Sequence, residues 1–331
     1  MTTTFSRRRV ITLLGGGVAA WALPSRAQPQ RGETRRVGAI IFGSEKDPVQ
    51  RSWSAALQAG LKQLGWVDRQ NLRIDLRFAS DLNGIQAAIH DIIVLSPDVV
   101  LVHSSPVMGV ARQQIKNIPI VFVAVGDPIV NRFVDDIARP EGNVTGITNL
   151  FPSIGGKWLQ LLKEAAPRTE RVALLFNPKL FFSEPYFESI ETTALSLGVK
   201  VTRAAYQNTA ELIQEVDAIG AYPNGALILL PPFSAYPEQF ISRLAQHRLP
   251  SISNLKSFAI AGGLMSYGAD NLDLFQRAAF YVDRILRGEK PRGLPVQFPT
   301  KFEMTLNLKA AKAMDLTVPR TLRALATDVV E

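Results

Sequence analysis

Small and polar residues follow the apolar runs of this 331-residue chain, at the points where buried strands are expected to end. Hydroxyl, carboxylate and amide groups in such places can bind the polar groups of a small molecule. The positions are Ser44, Ser104, Ser105, Asp127, Asn177 and Pro232. In open parallel sheets, ligands bind beyond the carboxyl ends of the strands. We therefore expect these residues to line a ligand site.

The same positions also have structural interpretations. Asp127 is followed by a proline and could cap its own turn, because Asp before Pro is common turn chemistry. Ser104 and Ser105 could N-cap the helix that begins near Pro106, and this role is compatible with binding an anionic ligand group. Asn177 could also cap a turn. The residues alone leave these interpretations open beside ligand binding.

Sequence signals for catalysis or metal binding are weak. His90, His103 and His247 are isolated, without the spacing of a histidine metal site. The chain contains neither a G-x-S-x-G motif nor a phosphate-binding P-loop. It has no cysteine, which excludes a catalytic thiol and a thiolate metal site. We expect no enzymatic activity, no metal and no cofactor.

The elements that must position these residues alternate between strand and helix. Short runs rich in β-branched residues are typical of strands in a sheet covered on both faces, and the intervening helical patterns indicate βαβ units. Two such series follow one another, so we expect an α/β protein with two similar lobes. The predicted strands are 37–42, 72–78, 99–103, 120–125, 144–148, 172–176, 199–204, 226–230 and 301–308. The predicted helices are 52–64, 85–95, 106–116, 154–165, 186–197, 210–219, 237–247 and 271–286.

Composition and charge narrow the class of protein. Hydrophobic residues make up 47% of the chain and charged residues 20%, which is typical of a folded globular protein. The net charge is +8, but four arginines in the first 27 residues account for half of it. The remaining surplus is too small to indicate a nucleic-acid partner.

Residues 1–27 have the pattern of a bacterial export signal. A twin arginine at Arg7-Arg8 precedes the apolar stretch 10–23, and Ser25-Arg26-Ala27 offers a cleavage site between small residues. The apolar stretch is shorter than the roughly 20 residues that span a bilayer. The sequence therefore predicts export to the periplasm, by the twin-arginine or the general secretory route. Without a cysteine to carry lipid, the mature protein is expected to be soluble there.

Eight blocks of sequence, in order, resemble the ABC-transporter substrate-binding proteins, a family that includes tryptophan- and aromatic-amino-acid-binding members. The resemblance extends from about residue 35 to residue 331. The blocks are residues 60–66, 118–123, 138–146, 156–159, 171–178, 261–268, 281–291 and 299–308.

The resemblance implies a type I periplasmic-binding-protein fold, with two Rossmann-like lobes, parallel sheets and three crossover segments. It places the crossovers at residues 147–151, 253–257 and 297–302. One lobe would comprise residues 35–148 plus 257–297, and the other residues 149–256 plus 298–331. It also adds Thr148, Tyr267 and Asp270 to the expected site.

The function implied by the resemblance is that of the solute-binding component of an ABC importer, closing by a hinge on a small polar metabolite such as an aromatic or branched amino acid. Asp127 or Asp270 would bind an α-ammonium, Ser104 and Ser105 an α-carboxylate. Phe42, Phe151, Phe182 or Phe233 would supply an apolar wall. Many relatives carry a polar residue where this chain has Pro232, so the identity of the ligand does not transfer.

The expected partners are the small-molecule ligand and a permease in the inner membrane, and the protein is expected to be a monomer. A sensor that feeds a receptor and a protein that binds an aromatic carboxylate remain alternatives. A transcription regulator of the same fold would need a helix-turn-helix segment, for which an export signal leaves no room.

Overall fold

The strands of the chain form two separate sheets in a computed structural model, which describes residues 34–129, 131–178, 184–230 and 236–331. The predicted export signal, residues 1–27, lies outside the described residues. Within these ranges, no helix is long and apolar enough to cross a membrane. The prediction of an α/β protein with parallel sheets is confirmed.

The first sheet contains five parallel strands in the order β2-β1-β3-β4-β5. These are β1 (Arg35–Phe42), β2 (Leu72–Ala79), β3 (Val99–His103), β4 (Ile120–Gly126) and β5 (Val144–Leu150). Every residue of β3 and β4 is buried, as expected for β-branched runs covered on both faces. The helices α1 (Pro48–Gln63), α2 (Leu82–Val94) and α3 (Ser105–Gln114) connect β1 to β4.

The second sheet contains seven strands in the order β12-β11-β10-β9-β8-β6-β7, and only the β10–β11 pair among them is antiparallel. The strands are β6 (Arg171–Phe176), β7 (Lys200–Ala205), β8 (Gly225–Leu229), β9 (Ser251–Ser253), β10 (Met265–Ala269), β11 (Phe302–Asn307) and β12 (Asp328–Val330). The remaining helices are α4 (Ile154–Ala165), α5 (Glu184–Leu197), α6 (Thr209–Gly220), α7 (Glu238–Gln246), α8 (Lys256–Ala261), α9 (Asn271–Leu286), α10 (Leu308–Ala313) and α11 (Arg320–Leu325).

Helix α9 packs on the first sheet, although both of its neighbouring strands belong to the second. It lies against α1, where the glycine at position 60 permits close approach: a Cβ there would lie 2.7 Å from Ala279 Cβ. The indole Nε1 of Trp66 donates a buried hydrogen bond of 2.7 Å to Asp283 on α9. These contacts hold the middle and the end of α9 against α1, on one face of the first sheet.

The chain passes between the sheets three times. The first passage joins β5 to α4, the second joins β10 to α9, and the third leads from Gln297, which bridges to Ile147 in β5, into β11. The second passage therefore lies at residues 269–271 rather than at 253–257, because β10 extends the second sheet before the chain crosses. We propose a first lobe of residues 35–150 plus 270–301, and a second lobe of residues 151–269 plus 302–331.

Candidate functional site

The carboxyl edges of the two sheets face each other because of the way the chain crosses. β5 ends at Leu150 and β10 ends at Ala269, and each leads within a few residues into a helix of the other lobe. Both crossings thus leave from the carboxyl end of a strand. The space between these two edges, here called the cleft, is where ligands bind in open α/β sheets.

The three predicted serines lie at the edge of the first sheet. Ser44 is exposed, and its Oγ accepts a hydrogen bond from the Lys46 N–H at 3.2 Å. Ser105 Oγ accepts from the Gly126 N–H at 3.1 Å, which ties the ends of β3 and β4 together. Ser104 is the N-cap residue of α3, but its side chain makes no capping hydrogen bond. The Ser104 hydroxyl therefore does not cap α3, which was one of the two roles considered for it.

The backbone of Ser104 is unusual. Its φ of 80° and ψ of 150° lie in a region that residues other than glycine rarely adopt. Such strain costs of the order of 1–3 kcal/mol and tends to occur at ligand sites. The strained residue directly follows β3, at the edge where the ligand is expected.

Asp127 lies where the two lobes meet. Its N–H donates to the Leu150 carbonyl at 3.3 Å, at the first crossing. Its Oδ1 accepts from the Ile129 N–H at 3.2 Å, which is the predicted turn contact. The pKa of Tyr186 in α5 is raised mainly by burial and to a smaller extent by the negative charge of Asp127. The Asp127 carboxylate therefore interacts electrostatically with a residue of the second lobe.

Thr148 and Asn177 differ in how they could reach a ligand. Thr148 is completely buried, with its Oγ1 2.7 Å from the Val125 carbonyl and 2.9 Å from the Leu150 carbonyl. Its hydroxyl is therefore used by the backbone, which favours a structural role. Asn177 directly follows β6 at the carboxyl edge of the second sheet and is 7% exposed.

Tyr267 and Asp270 flank the second crossing. The Tyr267 ring stacks on Phe302 with centroids 5.4 Å apart, and its carbonyl accepts from Trp158 Nε1 at 2.8 Å. Asp270 caps α9, accepting from the Leu272 N–H at 2.9 Å. The contacts of both residues therefore stabilise the backbone at the second crossing. Pro232 lies outside the described residues, as do Phe182 and Phe233.

The structure also brings together three aromatic rings that the sequence analysis did not assign to the site, those of Trp53, His103 and Phe275. These three residues, with Gln50 on α1 and Asn271 on α9, are here called the Trp53 cluster. The His103 ring is 4.9 Å from that of Trp53 and 5.5 Å from that of Phe275, and the Trp53 and Phe275 rings stack at 5.9 Å. Gln50 and Trp53 share a face of α1, and Asn271 and Phe275 share a face of α9. The available signal in the sequence was the position of His103 at the end of a buried strand.

Three polar atoms of the Trp53 cluster are buried and have no hydrogen-bond partner: Gln50 Oε1, His103 Nδ1 and Asn271 Oδ1. Gln50 is 8% exposed and His103 is 7% exposed. Because buried polar groups nearly always have a partner, unpartnered ones mark a place where a ligand could supply one. Burial lowers the pKa of His103 from 6.5 to about 3, so this imidazole is neutral at physiological pH.

The chemistry available in the cleft is that of binding. Among the described residues, no three histidine, aspartate or glutamate side chains are grouped so that they could hold a metal ion. The edge of the first sheet offers hydroxyls, a carboxylate and aromatic rings, which can bind a zwitterion with an attached ring.

Comparisons with known proteins agree with this geometry. The family model for ABC transporter substrate-binding proteins matches residues 45–330. A tyrosine-binding protein of Clostridioides difficile (strain R20291) is 24% identical over 265 residues, covering 77% of this chain and 74% of that protein.

Solved structures share the fold. An ABC domain in complex with L-Trp from Streptococcus pneumonia has a TM-score of 0.79 and 22% identity, covering 90% of this chain and 100% of that one. The ligand-free, open form of a substrate-binding protein with adhesive properties from Clostridium difficile has a TM-score of 0.71 and 20% identity, covering 89% and 99% of the two chains. The predicted type I periplasmic-binding-protein fold is confirmed. The family binds substrates and does not convert them, as predicted for this protein. With a family match over nearly its whole described length, the chain belongs to the ABC transporter substrate-binding proteins.

Proposed function

We propose that this protein binds a free amino acid, aromatic in the first instance, in the cleft between its lobes. The observation that carries the proposal is the grouping of Ser104, Ser105 and Asp127 at the carboxyl edge of the first sheet. An α-ammonium requires a carboxylate, which Asp127 supplies beside the first crossing. An α-carboxylate requires hydroxyl and N–H donors, which the two serines and the start of α3 supply.

The named ligands of the similar proteins support this choice. The curated relative is a tyrosine-binding protein, and one structure of the same fold contains L-Trp. A micromolar dissociation constant corresponds to about 8 kcal/mol. A few charge-assisted hydrogen bonds and one buried ring can supply that free energy.

The test is calorimetric titration of the purified protein with the twenty amino acids, followed by the Asp127→Ala variant. We expect that variant to weaken binding of the preferred amino acid at least about tenfold, because a charge-assisted hydrogen bond is worth about 1.5–3 kcal/mol. Asp136→Ala is the matched control, since Asp136 makes the same turn contact, to the Ala138 N–H at 2.7 Å. Equal affinity in wild type and Asp127→Ala would return Asp127 to a turn-capping role. Binding of aromatic carboxylates in place of amino acids would support the alternative ligand class.

We also propose that the protein is exported to the periplasm by residues 1–27, acts as a monomer and delivers its ligand to an importer permease after hinge closure. Cell fractionation of the wild type and of a variant with Arg7 and Arg8 changed to lysine tests export and its route. Small-angle scattering with and without ligand tests closure, for which we expect a smaller radius of gyration in the bound form. An unchanged radius at saturating ligand would contradict closure.

A further inference from the structure

The third crossing, residues 297–301, is held on helix α9 by one guanidinium group. Arg277 Nη2 donates to Gln297 Oε1 at 2.5 Å and to the Phe298 carbonyl at 3.1 Å. Its Nη1 donates to Thr300 Oγ1 at 3.2 Å. Arg277 therefore joins three residues of the third crossing to a helix that packs on the first sheet.

The second and third crossings are linked where this anchoring ends. The Asp270 N–H donates to the Lys301 carbonyl at 3.1 Å, which continues the antiparallel ladder between β10 and β11. The Lys301 ammonium lies 2.8 Å from Asp273 Oδ1, and Asp273 Oδ2 lies 3.6 Å from Arg277 Nη1. Asp273 therefore connects the guanidinium to the end of the third crossing.

Aromatic rings pack around the same boundary between the lobes. Phe151 of the first crossing lies edge-on to Phe298, with centroids 5.9 Å apart, and edge-on to Phe302 at 6.1 Å. Phe302 in turn stacks on Tyr267 at 5.4 Å. Hydrophobic contact is non-directional, so these rings can stay packed while the lobes rotate. The hydrogen bonds of Arg277 are directional, and they are lost when the third crossing moves away from α9.

These contacts divide the third crossing into a fixed part and a free end. Residues 297–300 are tied to the first lobe by Arg277 and by backbone hydrogen bonds between Gln297 and β5. A hinge needs a few residues that absorb changes of φ and ψ. With residues 297–300 fixed, these changes fall on Lys301 and on Asp270, its hydrogen-bonded neighbour in the second crossing.

On the basis of the proposed hinge closure, we propose that Arg277 is a positioning residue that confines bending to Asp270 and Lys301, beside the first crossing. Without its fork of donors, residues 297–300 join the hinge, and the ligand-free protein samples a wider range of lobe angles. Closing from a wider range costs more conformational entropy, so the ligand binds more weakly. This effect requires no contact between Arg277 and the ligand.

The experiment measures the distance between the lobes by pulsed electron paramagnetic resonance. Since the chain contains no cysteine, spin labels can be attached at Gln58→Cys in the first lobe and Glu191→Cys in the second, both exposed helical positions. We expect the ligand-free distance distribution to be broader in Arg277→Met than in the wild type. We expect the two distributions to coincide at saturating ligand.

Two further variants separate the fork from the charge and from the helix. Arg277→Lys keeps the charge but not the planar fork, so we expect it to broaden the distribution too, and it replaces Arg277→Met should that variant fail to fold. Arg284→Met is the matched control, because Arg284 lies on the same helix and donates to Glu289 at 2.7 Å, within the first lobe. We expect this control to match the wild type. Equal ligand-free distributions in the wild type and the Arg277 variants would overturn the proposal.

Calorimetric titration of the same proteins with L-tyrosine and L-tryptophan measures the effect on binding. We expect Arg277→Met to raise Kd at least about fivefold, which is the equilibrium cost of ordering the backbone of one further residue. A broader distribution with an unchanged Kd would overturn the effect on affinity. If neither amino acid binds to the wild type, the proposed amino-acid function fails, whereas the ligand-free distance distributions still decide whether Arg277 confines the hinge.

Discussion

The buried His103 should make the protein sensitive to acid, and replacing it with leucine should reduce that sensitivity. The folded protein holds this imidazole neutral down to a pKa of about 3, whereas the unfolded chain protonates it near 6.5. Between these limits the unfolded state binds the additional proton. The free energy of unfolding therefore falls as the pH falls from 6.5 toward 3.

The magnitude follows from the two pKa values. Each pH unit between them is worth about 1.4 kcal/mol, so lowering the pH from 8 to 5 should cost about 2 kcal/mol at this residue. The neighbouring rings of Trp53 and Phe275 do not ionise and cannot offset this cost. His103→Leu removes the titrating group and leaves an apolar side chain against the same rings.

The assay is urea unfolding of wild type and variant at pH 8 and pH 5, followed by circular dichroism. We expect the loss of unfolding free energy between the two pH values to be about 2 kcal/mol smaller in His103→Leu. His90→Leu is the control, because His90 is exposed on α2 and the same replacement there should not change the loss. An equal pH-dependent loss in His103→Leu and wild type would refute the assignment of the acid sensitivity to His103.

Three further replacements test how the lobes and the edges of the cleft are built. Gly268→Ala would place a methyl group 2.0 Å from the Asn254 carbonyl oxygen, so we expect a loss of about 2–3 kcal/mol in urea unfolding, and a loss below about 0.5 kcal/mol would contradict the packing. Trp66→Phe removes the buried donor to Asp283 and should cost about 1–3 kcal/mol, measured as a lower Tm; an unchanged Tm would show that the bond contributes little. Ser104→Gly should relieve the strained backbone at φ 80° and raise stability by about 1 kcal/mol, and a lower Tm would contradict the strain.

Much of the fold could be predicted from local patterns, and the failure to predict β10 has a physical cause. The strands predicted at 99–103 and 120–125 match β3 and β4 because continuous β-branched runs identify buried strands directly. The strand β10 was not predicted, since its run of small and polar residues after two glycines has no clear periodicity. It forms because it pairs with β9 on one side and with β11 on the other. Both partners are separate segments of the chain, so local sequence does not reveal these pairings. The position of the second crossing depends on them, because the chain crosses where β10 ends.

For the candidate site too, features set by local sequence could be predicted and features set by tertiary packing could not. Residues that directly follow strands, such as Ser104 and Asp127, could be located from the sequence, because the end of a buried strand is visible in the local pattern. Whether a given hydroxyl is available to a ligand could not be predicted, since that depends on the surrounding backbone: two carbonyls accept from or contact Thr148 Oγ1, whereas the Ser104 side chain makes no capping hydrogen bond. Whether a polar side chain is buried without a hydrogen-bond partner depends on tertiary packing, which the sequence pattern does not reveal.

The Trp53 cluster depends on the longest-range contacts of the first lobe. Asn271 and Phe275 reach it only because α9 returns to α1, where Trp66 bonds to Asp283 and Arg287 donates to the Leu64 carbonyl at 3.1 Å. The same helix begins two residues after β10 leaves the second sheet. A ligand bound in the cleft would therefore lie close to this crossing. Its binding should be coupled to the angle between the lobes, because any rotation about the crossing moves the second lobe relative to α9 and the first sheet.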